Sequence, residues 1–156
     1  MSQYVDFFIR SNNDEFLRIG CFTSSSKVYQ AFRMYAPWEK IRAIKSEKLE
    51  NVLYALDDEK HKLQTNIDDY QQEIKFLTQL QAPIDDILER RFDILKSIKE
   101  VQEEIEEVDA AAGYVRALSW MLDAVHYADV SGHDENTYLY VGIEVGQPTI
   151  EDIVNA

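Results

Sequence analysis

The sequence predicts an α+β fold: a small three-stranded antiparallel sheet with short helices, carrying a long inserted antiparallel coiled-coil helical hairpin. Three observations carry the prediction. Residues 38–127 place apolar side chains alternately three and four positions apart, the a/d seam of a coiled coil. One break, Ala82-Pro83, divides that stretch into two helices of nearly equal length. The segments at both chain ends instead alternate apolar and polar residues with the period of two that belongs to strands.

From the N-terminus, Tyr4 to Arg10 reads as a strand with Val5, Phe7 and Ile9 on one face and Tyr4, Asp6, Phe8 and Arg10 on the other. Ser11-Asn12-Asn13-Asp14 is a turn, since Asn and Asp tolerate left-handed backbone and bond back to it. Leu17 to Thr23 completes a hairpin. Ser24-Ser25-Ser26 supplies an N-cap for a helix bearing Val28, Tyr29, Phe32 and Tyr35. Ala36-Pro37 ends that helix and opens the long one, with Pro37 in a first-turn position.

The first arm helix carries its seam on Leu49, Leu53, Leu56, Lys60, Leu63, Ile67, Tyr70, Ile74, Leu77 and Gln81. The second carries it on Ile84, Ile87, Arg91, Ile94, Ile98, Val101, Ile105, Val108, Ala112, Val115, Ser119, Leu122 and His126. A single continuous helix is disfavoured, because an interior proline costs about 3 kcal/mol. A turn at Gln81 to Pro83 pairs residues whose numbers add to about 165. Glu103, Glu104, Glu106 and Glu107 then lie across from Lys60 and Lys62, and Asp68 and Asp69 across from Lys96 and Lys99. Near the arm's base Tyr114, Leu118, Trp120, Met121 and Val125 widen the apolar face, opposite Trp38, Ile41 and Ile44. Ala110-Ala111-Ala112-Gly113 offers small residues for close backbone approach there.

Beyond a polar loop from Asp129 to Asn136, Tyr138 to Val145 reads as a third strand, and Thr149 with Asp152 as the capping box of a short helix. A two-stranded hairpin is marginal alone, so the third strand joins the first two. The expected division is a head from residues 1–37 and 128–156 and an arm from residues 38–127, turning near residues 81–84.

Sixteen basic against twenty-nine acidic residues leave a net charge of −13, which disfavours direct contact with nucleic acid or an anionic membrane and allows attraction to a basic protein surface. Cys21 is the one cysteine, so no intrachain disulfide can form, and mid-strand it reads as a small apolar residue. The N-terminal residues form neither a basic leader nor an apolar segment, and no stretch is long and apolar enough to span a bilayer. A soluble, cytoplasmic protein is expected.

The chain holds no phosphate-cradling glycine loop, nucleophile elbow, paired-cysteine zinc site or HExxH, so no catalytic residue and no cofactor is assigned. His126, Asp129, His133 and Asp134 are the candidates for a metal, although nothing in their spacing enforces convergence and the EF-hand pattern fails. Two stretches are candidates for a partner: the acidic block Glu103, Glu104, Glu106 and Glu107, and the hairpin tip with Leu80, Gln81, Asp85 and Asp86. The function expected is a non-enzymatic protein–protein interaction or scaffold module acting through the arm, with pairing of two arms into a homodimer left open. The alternatives are a small acidic phage-type inhibitor that imitates nucleic acid, as an anti-CRISPR protein would, and a metal-binding protein using residues 126–135.

Overall fold

A computed structural model of the chain describes residues 4–10, 16–35, 42–128 and 138–143. Along the sequence these form β1 (Tyr4–Arg10), β2 (Phe16–Thr23), α1 (Lys27–Tyr35), β3 (Arg42–Lys45), a 3₁₀ turn (Ser46–Lys48), α2 (Leu49–Leu77), α3 (Ile84–Ala128) and β4 (Tyr138–Ile143). The strands make one antiparallel sheet in the order β2-β1-β4-β3. The fold is α+β with a helical hairpin, as the periodicities require. The turn Ser11 to Asp14, the loop from Asp129 to Asn136 and the helix at Thr149 lie outside the described residues.

The three expected strands pair as predicted, with β1 between β2 and β4. A fourth strand corrects the sequence reading. Arg42–Lys45 pairs with β4, Arg42 opposite Val141 and Lys45 opposite Tyr138, so the first arm helix begins at Leu49 and not at Trp38. Ile44 is buried as a strand residue of the sheet, not as a seam residue of the helix. The reason is tertiary: a short apolar-containing run has no period of its own, and β4 offered an unpaired edge to it. Because β3 and β4 are neighbours, the strand that precedes α2 in sequence and the strand that follows α3 are hydrogen-bonded side by side.

In β1, Val5 and Phe7 face the core, and Asp6 and Phe8 on the opposite face are buried as well. Phe7 stands opposite Gly20 but Phe8 opposite Arg18, so Ile19 is the extra residue of a β-bulge. α1 is capped as expected: Ser26 Oγ accepts the backbone N–H of Tyr29 at 3.1 Å.

Among the described residues two apolar clusters hold the fold together. The larger joins the sheet (Phe7, Ile44, Leu139, Val141) to α1 (Val28, Phe32), to the start of α2 (Leu49, Val52, Leu56) and to the far half of α3 (Val108, Val115, Leu118, Leu122). The smaller lies in the distal arm, on Ile67, Leu77, Ile94 and Ile98. Nearly all of these arm residues are seam positions, so the heptad register is the packing register. α3 spans about 68 Å at 1.5 Å per residue and α2 only about 43 Å, which leaves α3 long enough to pack on the head as well as on α2.

Candidate interaction surfaces of the arm

The tip forms because α2 runs out of helix and Pro83 restarts it. In α2's last turn the Thr78 hydroxyl donates to the Lys75 carbonyl at 2.6 Å, and Gln79 and Leu80 donate their N–H groups to Phe76 and Leu77. Pro83, which has no N–H to lose, stands just before α3, and its carbonyl accepts from Asp86 and Ile87. Asp85 and Asp86 complement the positive end of α3, which gives both a structural role. Leu80, Gln81, Asp85 and Asp86 are all exposed, as is Ile84.

Ile84 is the start of a feature the sequence argument did not separate from the seam. Leu88, Phe92 and Leu95 follow it at helical spacing on α3, and all four side chains are exposed by about half or more: 71% for Ile84, 54% for Leu88, 69% for Phe92 and 49% for Leu95. This stripe lies about a quarter of a turn round the helix from the buried Ile94 and Ile98. Counting the e and b positions of each heptad beside a and d would have found it. Arg90 falls on the other side of the seam and donates through Nε to Glu73 Oε1 of α2 at 2.9 Å. Phe76 is exposed on α2.

The acidic block lies about 25 Å along α3 from Asp86, so the two sets of partner candidates do not form one surface. Glu103, Glu104, Glu106 and Glu107 are exposed. Their predicted facing partners are corrected by the structure: Lys60 bonds Asp109 at 2.9 Å, and Lys27 of α1 bridges Glu59 of α2 at 2.7 Å and Glu104 of α3 at 3.5 Å. Among the described residues Lys62 has no ion pair, nor do Asp68 and Asp69 meet Lys96 and Lys99. The cause is α1, which brings a cation of the head to the side of the arm where Glu59 and Glu104 lie. Burial alone would lower the pKa of Lys27, but the hydrogen bond and charge of Glu59, with Glu104, outweigh it and raise it.

Between α1 and α3 lies an open cleft of about 510 Å³, lined among others by Ser25, Lys27, Glu107, Ala110 and Tyr114. The Tyr114 ring packs against Phe22, centroids 4.7 Å apart, and its buried hydroxyl has no hydrogen-bond partner among the described residues. Burial pushes the Tyr114 pKa up. Trp120, expected in the junction with the head, is 69% exposed, whereas Leu118 is buried. Gly113 has open space where a Cβ would stand, so close backbone approach does not explain it.

On the outer face of the sheet Arg18 Nε lies 3.5 Å from Asp6 Oδ1, and its guanidinium sits over the Phe8 ring at 5.7 Å. Cys21 is exposed and not a core residue. Partial burial, then the neighbouring Asp6, hold its thiol above the ordinary pKa, which disfavours a nucleophilic role.

Of the metal candidates, His126 falls in the last turn of α3, and Asp129, His133 and Asp134 lie outside the described residues. Among the described residues no group of three ligating side chains converges, and no helix is long and apolar enough to cross a membrane. No protein-family profile, curated protein or solved structure significantly matches this chain.

Proposed function

We propose that the chain is a non-enzymatic interaction module that engages another protein through the distal half of its helical arm. One observation carries this reading. Among the described residues, six of the nine exposed large hydrophobic side chains lie between Phe76 and Leu95, and four of them make the continuous stripe on α3. Single exposed hydrophobics are ordinary, but a contiguous row on a helix already packed along its seam has no role in the arm's own stability. A thiol-reducing, cytoplasmic setting suits a chain with one cysteine.

Affinity purification of the tagged chain from its native cells, beside a Leu88→Ser/Phe92→Ser variant, tests the reading. A partner retained in high salt by the parent and lost by the variant is the expected result. Equal recovery by both would remove the arm stripe from consideration.

A second reading is favoured by the acidic block: Glu103, Glu106 and Glu107 are exposed and enter no ion pair among the described residues. In that reading they imitate a phosphate array and occupy the basic channel of a nucleic-acid enzyme, as a phage-type inhibitor would. Binding would then weaken as salt shortens the screening length to about 8–10 Å, and would be lost on changing the three glutamates to Gln. Unchanged binding by that variant at low salt would exclude mimicry.

A further inference from the structure

We propose that the occupant of the α3 stripe is a second copy of this chain, laid antiparallel across it with α3 on α3 about a two-fold axis near Phe92. The inference rests on the reading that the distal arm is an interaction surface, and names its partner. The first argument is charge order. Beside the stripe the N-terminal turns carry Asp85 and Glu89, and the following turns carry Lys96 and Lys99. Reversing a second helix about Phe92 sets Asp85 against Lys99 of the second copy and Glu89 against its Lys96, each pair occurring twice by symmetry. The same operation sets Leu88 against Leu95 and Phe92 against Phe92.

The second argument is where the net charge lies. The chain carries −13, yet between Ile84 and Lys99 four acidic and four basic side chains cancel, so the stripe sits in a neutral stretch of an acidic molecule. With the axis at Phe92, the two copies of the acidic block are roughly 39 Å apart along the joined helices. That exceeds the screening length of about 8–10 Å several-fold, so the blocks do not oppose association. The dimer is extended, with the heads at opposite ends and the two hairpins overlapping as a four-helix bundle in the middle.

The test uses the full chain. Sedimentation from about 1 to about 200 µM is expected to show a monomer–dimer equilibrium, the range a short apolar interface reaches. Phe92→Ser should weaken it about tenfold or more with the helical spectrum unchanged, because Phe92 is exposed in the monomer. Asp85→Lys with Glu89→Lys should also weaken it, and adding Lys96→Glu and Lys99→Glu should restore it. In a Cys21→Ser background, Phe92→Cys should oxidise to a covalent dimer, and Phe76→Cys on α2 should not. A monomer throughout the range, or a dimer indifferent to Phe92→Ser and to the charge swap, overturns the proposal. If the chain stays monomeric while Phe92→Ser abolishes capture of a different protein, self-association fails and the arm reading survives; if neither responds, both fail.

Discussion

Tyr114 and Gly20 constrain one another. The Tyr114 hydroxyl occupies the place a Cβ on residue 20 would take, and the ring cannot swing away because Phe7 and Phe22 pack against it. Gly20→Ala should therefore cost about 1–3 kcal/mol of unfolding free energy in denaturant titration. Tyr114→Phe removes a buried hydroxyl that has no partner among the described residues and should be neutral or stabilising by up to about 1 kcal/mol. Combining the two should recover most of the alanine penalty, since the crowded atom is gone; strict additivity would refute the account. Gly113 is the converse case, a glycine inside α3 facing open space. Gly113→Ala should stabilise by about 0.5–1 kcal/mol, seen as a rise of a few degrees in Tm. The sequence alone suggests the opposite at Gly113, which looks like a packing glycine beside three alanines, and it gives no notice of Gly20. Only the three-dimensional neighbours distinguish them.

Lys27 connects three helices, since it stands at the start of α1 and reaches Glu59 of α2 and Glu104 of α3. Its pKa is raised in the folded chain, burial being outweighed by the two glutamates, so its contribution is complete below the ordinary value of 10.5 and is lost as pH rises through the higher folded value. The stability difference between the parent and Lys27→Met should be constant through neutral pH and shrink above about pH 10.5. A difference that instead shrank on acidifying from pH 9 to pH 7 would rule out this linkage. Lys60 has a related role within the hairpin. It is a polar residue in an apolar seam, and its bond to Asp109 gives the two helices a preferred register. The partners of Lys27 were not evident from the heptads, which match helix to helix along the arm and contain no information about α1.

At the scale of the molecule, the arm's two clusters predict two stabilities. Leu56 belongs to the cluster that includes the sheet, and Ile94 to the cluster confined to the distal hairpin. Leu56→Ala should cost about 2–5 kcal/mol and lower the protection of β1 and β4 against amide exchange along with the helices. Ile94→Ala should raise exchange mainly from Ile67 to Ile98 and leave the sheet protected. Uniform loss of protection in the second variant would mean that the molecule unfolds as one unit.

The chain's pattern by itself determined the fold class, the three longer strands, the α1 cap, the position of the hairpin turn and the seam that buries Leu49, Leu56, Ile94 and Leu122. Each is a matter of local period or local bonding, which the order of residues states directly. Tertiary structure decided what depends on a neighbour distant in sequence. A four-residue run at Arg42 became a strand because β4 had an edge to fill, Glu104 found Lys27 because α1 lies along the arm, and Ile84, Leu88, Phe92 and Leu95 stayed outside the core. That last outcome bears most on function, and period could not foretell it: an amphipathic helix states which residues are apolar, but its packing partner decides which of them are covered.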